Sequence, residues 1–288
     1  MKTKVFAIVI AYNPIIEELT KNILSLKEQV EQVILVDNSS RPITDNDLLN
    51  LVDYMPNGCN LGIAEAQNIG ILRAIKFGAD YVILFDQDTS IPSNTVTLLV
   101  SGFEVASKEG LKLACIGPRV VDHFTGEKFA PSFQKDKKIS EIITISKQII
   151  ASGKLIPVSL FDVVGLMESD LFIDGVDHEW CWRAKSYGYS VAICENAIVD
   201  HQLGDGRRKF LIFRYKYGSP IRLYYQYRNT LLLLKRSYVP LYWKLRQIFL
   251  FFPKLVIRGV IDKDRSFAIK FIKSGIKDGI KGKVGSYE

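Results

Sequence analysis

The sequence predicts an α/β fold with a doubly wound, mostly parallel central sheet, and three observations lead there. VFAIVIAY, QVILVDNSS and DYVILFDQD are continuous apolar runs of strand length, as expected for strands buried on both faces. Stretches with helical spacing separate them. Asn or Asp stands at or just past the end of each apolar stretch (Asn13, Asp37, Asp86), where open α/β sheets collect ligands at the carboxyl ends of their strands.

In chain order, VFAIVIAY is the first strand, and Ile16, Leu19, Ile23 and Leu26 give residues 15–29 a helical stripe. QVILVDNSS is the second strand. A loop with Pro56, Asn57 and Gly58 precedes a helix over about 63–77, and DYVILFDQD follows as the third strand. Pro92 and Ser93 open a helix over 92–108, and LACIGPRVV is a fourth strand. Residues 122–150 read as an irregular polar segment with some helix. LIPVSLFDVVG and LFID lead to a helix over DHEWCWRAKSYGY, closed by Gly188, and SVAICENAIVDH is a final strand. Beyond it come aromatic, basic, helical stretches without a clear strand, so the expected organisation is a catalytic domain over 1–205 and a helical region over 206–288.

Composition narrows the function. A 48% hydrophobic fraction in 288 residues supports a real core. The four cysteines stand singly, without metal-ligand spacing, as in a reducing compartment. The opening apolar run is too short for a secretory signal, which predicts a cytoplasmic protein. The net charge of +7 resides in residues 240–288, where eleven basic residues face four acidic ones. The rest of the chain is neutral overall, which argues against a general nucleic-acid surface.

The chemistry-bearing residues gather at strand ends: Asp37, then Asp86 with Asp88, and His201. Two carboxylates one residue apart after an apolar strand suit Mg²⁺ or Mn²⁺ beside a diphosphate, because such a cation takes few protein oxygens and lets phosphate supply others. FIDGVDHEW places Asp174, Asp177 and Glu179 at a helix start. One acid there is expected as a cap, and one is a candidate general base.

With VIAYNP, ILVDNSS, NLGIAEAQNIGI, FDQDT, FIDGVDHEWCWRA and YQYRN in this order, residues 4–235 resemble the family-2 glycosyltransferases of the type-A, Rossmann-like fold, and within them the bacterial L-rhamnosyltransferases. The resemblance implies a base-binding role for Tyr12 and Asn13, and recognition of the base or its ribose by Asp37. It implies a nucleotide-side loop and helix at Asn60, Gly62, Ala66 and Asn68, with the helix N-terminus facing phosphate. It makes Asp86 a ribose or metal carboxylate, Asp88 a direct metal ligand and His201 a second one. Asp177 matches the catalytic base of the family's E-D-x-D motif, in which Val176 here replaces the first acid and Glu179 takes the last position. Glu179, Trp180 and Arg228 are candidates for acceptor or phosphate contacts, with core packing as the equal alternative for Trp180 and helix packing as the favoured alternative for Arg228.

The tail reads as a membrane-surface element. Aromatic and aliphatic residues alternate with basic ones at helical spacing, Pro253 is expected to interrupt the helix, and no apolar run reaches the roughly 20 residues of a membrane span. The combined expectation is an inverting, metal-dependent transferase that moves L-rhamnose from dTDP-β-L-rhamnose to a lipid-linked polysaccharide (O-antigen, capsule or cell wall) at the inner face of the plasma membrane. A UDP-hexose is the alternative donor. A nucleotidyltransferase, or a carbohydrate- or membrane-binding module without catalysis, are the rival classes; the first lacks here its Gly-rich basic phosphate loop.

Overall fold

The computed structural model describes residues 3–122, 136–201, 207–210, 213–216, 219–261 and 265–287. Strand β1 (Val5–Ala11) leads into helix α1 (Ile16–Lys27), β2 (Gln32–Asp37), a short α2 (Asn46–Leu49), β3 (Asp53–Pro56), α3 (Ile63–Lys76), β4 (Tyr81–Asp86), α4 (Thr95–Lys108) and β5 (Leu113–Asp122). Next come β6 (Lys137–Lys138), β7 (Ile143–Ser146), β8 (Lys154–Pro157), the short α5 (Phe161–Val164), α6 (Val176–Ser186) and β9 (Ser190–His201). A hairpin of β10 (Arg207–Phe210) and β11 (Phe213–Lys216) precedes α7 (Ile221–Leu234), α8 (Leu241–Ile261) and α9 (Arg265–Lys281).

Nine strands form one sheet in the order β3-β2-β1-β4-β8-β5-β9-β7-β6. Strands β3, β2, β1 and β4 are mutually parallel, β8 runs antiparallel to both its neighbours, and β5 and β9 are parallel. Because β8 reverses twice, the carboxyl ends of β1, β2, β4, β5 and β9 share one edge of the sheet. That edge is where the site must form.

Alternation along β1 sorts the core into two layers. Val5, Ala7, Val9 and Ala11 pack with Leu19, Ile23 and Leu26 of α1 and Val96, Leu99 and Phe103 of α4. Phe6, Ile8 and Ile10 face Ala64, Ile71 and Ala74 of α3 on the other side, in a cluster that continues through Trp180 and Trp182 to Leu232, Leu233 and Trp243. The composition change near residue 205 is therefore no break in packing, since α7 and the start of α8 contribute to the main core.

Four expectations change. The 122–150 segment contains strands β6 and β7 among its described residues rather than helix, and β10 and β11 follow what looked like the final strand. Pro253 does not stop α8, which runs on to Ile261. A proline removes one helix hydrogen bond, and this one is exposed, where water can serve the freed carbonyl. Much of the apolar stripe of α9 packs inside the protein: Ala268, Ile272, Gly275 and Gly279 are buried, and a Cβ on Gly275 would run into the Tyr224 carbonyl of α7, while Phe267 and Ile280 remain exposed.

Candidate active site

Pairing brings the strand ends together. Ala11 of β1 lies beside Asp37 of β2, and Ile10 lies beside Asp86 of β4. The β1 end is tied to the D-x-D segment by the Tyr12 amide, which donates to Gln87 Oε1 at 2.7 Å. Asn13, held at φ 46°, donates its amide to Ser39 Oγ at 2.8 Å. The Tyr12 side chain is half exposed. Beside it a cavity of about 560 Å³ is lined by Asn13, Ser39, Arg41, Thr44 and Asp45, among others. It lies at the carboxyl ends of β1 and β2 and has the size of a small-molecule site.

Asp37 sits beneath this region and does not face it. Its carboxylate is buried and accepts from the Ser39 and Ile43 amides and from Tyr54 Oη at 2.7 Å. Burial together with this carboxylate pushes the Tyr54 phenol up to about 12. Asp37 thus shapes the loop that lines the cavity, and a direct contact with a base or ribose would require that loop to open. Asn38 is a hub that the sequence reading passed over. It donates to Asn60 Oδ1 and accepts from Asn57 Nδ2 and the Leu61 amide.

The expected phosphate-facing end of α3 is closed by protein. Gly62 has φ 84° and lies so near Phe172 that a Cβ would come within 2.6 Å of its ring. The Ile63 and Ala64 amides both donate to the Phe172 carbonyl, so the first helix donors are spent. Asn60 Oδ1 accepts from the Gly62 amide, and Ala66 is buried in the core. Asn68 donates to the Met167 carbonyl and Ser169 Oγ and accepts from the Met167 amide. It fixes the 167–169 segment and leaves nothing to offer a nucleotide.

Asp86 and Asp177 meet across one short segment. Ser152 Oγ donates to Asp86 Oδ2 at 2.7 Å. Two residues on, the buried ammonium of Lys154 donates to the Asp177 carbonyl at 3.2 Å and lies 3.8 Å from its Oδ1. Gly153 makes this crossing possible: its φ is 84°, a Cβ would strike Pro118, and its amide bonds Leu84 O. Burial works against charge on Lys154; Cys181 and Asp177 work for it and prevail, holding its pKa above the usual lysine value. Lys154 carried no signal in the sequence beyond being a lysine inside an apolar strand.

Asp177 is in the first turn of α6 and remains partly exposed, its side chain 29% accessible. It follows a tight turn with positive φ at Phe172 (62°), Asp174 (66°) and Gly175 (96°). Such backbone is costly for non-glycine residues and persists only when its surroundings hold it. The clamp comes from YQYRN. Asn229 Nδ2 bonds the carbonyls of Leu171, Ile173 and Asp174, while Arg228 bonds those of Asp170, Leu171 and Gly285. Arg228 is fully buried, so it holds the turn that presents Asp177 and reaches no phosphate.

Glu179 and Trp180 also turn inward. Glu179 is buried in an ion pair with Arg183 and accepts from Tyr238 Oη at 2.6 Å. Trp180 is buried and donates Nε1 to the Gly165 carbonyl. Both lack access to an acceptor sugar.

The residues at the β4 end fit a hard divalent cation that draws most of its ligands from a diphosphate. Asp88 is exposed two residues past β4, and Thr89 Oγ1 beside it is buried without a partner among the described residues. His201 ends β9 in register with Asp122, on the same sheet edge, and its side chain lies outside the described part of the structure. The described residues contain no cluster of three or more His, Cys, Asp or Glu ligands.

Comparison with known proteins agrees with this layout. Residues 6–150 match the model of glycosyl transferase family 2. The chain is 32% identical over 298 residues, 99% of its length and 98% of the relative's, to the dTDP-rhamnosyl transferase RfbF of Shigella flexneri. It is 25% identical, over 80% of its length and 81% of the relative's, to the galactofuranosyltransferase GlfT1 of Mycobacterium tuberculosis. Among solved structures, the fold is similar to GalNAc-T7 with UDP, GalNAc and Mn²⁺ (TM-score 0.61, 15% identity, 97% of this chain), although the chain spans only 56% of that protein. It is also similar to Staphylococcus aureus TarS residues 1–349 in complex with UDP-GlcNAc (TM-score 0.56, 13% identity, 98% of this chain and 93% of that one). A sheet that gathers its carboxylates at one edge, a strained turn that presents an acid, and a matching family model identify the chain as a member of glycosyl transferase family 2.

Proposed function

We propose that the protein transfers L-rhamnose from dTDP-β-L-rhamnose to a hydroxyl of a lipid-linked bacterial polysaccharide, with inversion at the anomeric carbon. The observation that carries the reading is the placement of Asp177. It is partly exposed and clamped from behind, and one three-residue segment separates it from Asp86. The rhamnose donor rests on the similarity to RfbF.

The cavity at the ends of β1 and β2 takes the nucleoside, with Asn13 in its lining and the half-exposed Tyr12 as the preceding residue. Asp88 and His201 would hold Mg²⁺ or Mn²⁺, which supplies charge neutralisation for the leaving diphosphate. Asp86 orients the ribose or cation side of the donor. Asp177 accepts the proton of the acceptor hydroxyl as that oxygen attacks C1 on the face opposite the diphosphate, and Lys154 with the Arg228–Asn229 clamp keeps the carboxylate in place. One displacement inverts the centre, and no covalent sugar-enzyme species forms.

No helix among the described residues is long and apolar enough to cross a membrane. The outer face of α8 carries Leu241, Leu245, Ile248 and Phe249, all exposed and spaced as one helical stripe. Beside a basic tail, this face supports peripheral docking at an anionic inner leaflet, where a lipid-linked acceptor resides.

The experiment is nucleotide release from dTDP-rhamnose, UDP-glucose and UDP-galactose. Turnover is expected with dTDP-rhamnose, loss in EDTA and recovery with Mg²⁺ or Mn²⁺. Asp177→Asn is expected to bind donor but to transfer about 10²–10⁴-fold more slowly, the usual worth of a general base. Equal use of the UDP-sugars would replace the donor, and wild-type transfer by Asp177→Asn would remove the base.

A further inference from the structure

A second cleft opens between the start of α6, α7 and α8, lined by Gly175 and His178 on either side of Asp177 in the chain. Its volume is about 200 Å³, and His178, Gln226, Thr230, Trp243, Arg246 and Gln247 are among its lining residues. That is below the roughly 300–1,000 Å³ of drug-sized sites, enough for one sugar ring and too small for a nucleotide. Its polar lining is dominated by uncharged amide and hydroxyl side chains, which offer both donors and acceptors, as a ring of hydroxyls requires. Trp243 packs on Trp182 at 5.0 Å between ring centres, giving the cleft an aromatic base suited to the C–H face of a sugar.

The histidine is held in one state. Gln148 Oε1 accepts from Trp182 Nε1 at 2.8 Å and from Tyr242 Oη at 3.1 Å, so its amide nitrogen is the end turned to His178 Nδ1, at 3.3 Å. Nδ1 then accepts, and the ring proton sits on Nε2. Burial, reinforced by the charges of Lys154 and Arg246 against the opposing Asp177, pushes the imidazole down to about 4 and keeps it neutral at physiological pH. A neutral N–H donor suits a hydroxyl better than an anion.

We propose that this α6–α7–α8 cleft is the subsite for the accepting sugar and takes a neutral pyranose, with His178, Gln226 and Thr230 bonding its hydroxyls and Trp243 beneath its ring. Gly175, which caps α6, and His178, which follows Asp177 in its first turn, both line the cleft, which brings it to the helix start that carries the base. The assignment rests on the reading of Asp177 as the base. Gln148 joins the catalytic helix α6 to α8 through the same bonds, so the helix carrying the outer apolar stripe also forms the wall of the sugar site.

The test is saturation-transfer NMR on the full chain with methyl glycosides of glucose, galactose, N-acetylglucosamine and rhamnose. At least one is expected to bind wild type. Thr230→Trp, which fills the cleft from a part-exposed helix position, is expected to weaken it at least tenfold with an unchanged thermal midpoint, and Gln226→Ala several-fold. Failure of every glycoside to bind wild type, or undiminished binding by Thr230→Trp, overturns the proposal. Glycoside binding without nucleotide release from dTDP-rhamnose would leave the cleft standing and remove the donor reading instead.

Discussion

Acidic residues that stand together in the sequence divide sharply in the structure. Asp177 and Glu179 are two residues apart on one helix, yet Asp177 stays partly exposed beside Lys154 while Glu179 is fully buried between Arg183 and Tyr238. Arg236 joins the same cluster, bonding Tyr238 Oη and Glu168. Tyr238 is pushed above the usual tyrosine range, by burial first and by Glu179 second. Removing one partner from a buried ion pair leaves an uncompensated charge, which typically costs about 3–5 kcal/mol. Glu179→Gln is therefore expected to lower stability by about 3 kcal/mol, seen as a lower denaturant midpoint, while nucleotide release by the folded fraction persists. If stability held and transfer vanished instead, Glu179 would be the base. The residue pattern placed three acids at this helix start without ranking them, and only the family resemblance singled out Asp177. What separates them is contact with Tyr238 and Lys154, which come from distant parts of the chain.

At the scale of elements, local pattern was a sound guide wherever local pattern decides the outcome. The apolar runs of β1, β2, β4 and β9 and the helical stripes of α1 and α3 are written in consecutive residues. β3 was missed because DYMP is a four-residue edge strand without alternating burial. The direction of β8 was illegible because pairing with Tyr81–Leu84 of β4 fixes it. The amphipathic pattern of α9 was read correctly as a pattern and misassigned as a surface. Its apolar side meets α7 through Gly275 and Gly279, where a Cβ would run into the Tyr224 carbonyl, the Leu231 side chain and the Arg228 carbonyl. Since α7 carries Arg228 and Asn229, this close packing supports the turn beneath Asp177. Gly275→Ala is expected to destabilise by about 1–3 kcal/mol, as overpacking usually does. It should also speed proteolysis within α9, measured by limited digestion. An unchanged digestion rate and midpoint would show that α7 and α9 can separate at no cost.

For the whole molecule, the question is how an enzyme with no spanning helix among its described residues would reach the bilayer-fixed acceptor proposed for it. The net charge of +7 belongs to residues 240–288, and Lys270, Lys273 and Lys277 are exposed on α9, where Ala268, Ile272, Gly275 and Gly279 are buried. On the membrane reading, both helices would supply charge, α8 through Lys244, Arg246, Lys254 and Arg258 and α9 through its lysines, while α8 would add the apolar stripe Leu241, Leu245, Ile248 and Phe249, the last 76% exposed. Each basic residue near an anionic leaflet contributes about 1 kcal/mol, and each large apolar side chain that leaves water roughly 1.5–3 kcal/mol. The two contributions respond differently to salt, because surface charge is screened over about 8 Å at physiological ionic strength whereas apolar burial is not. Co-sedimentation with anionic vesicles is therefore expected, weakening as salt rises without vanishing. Replacing Lys270, Lys273 and Lys277 with Glu should sharply reduce the salt-dependent part. Ile248→Glu with Phe249→Glu should abolish the salt-resistant part, with helix content by circular dichroism unchanged in both. Wild-type protein that ignores anionic vesicles at low salt would remove the membrane reading. Loss of binding in the lysine variant alone would assign docking to charge and leave the α8 stripe without a role at the bilayer.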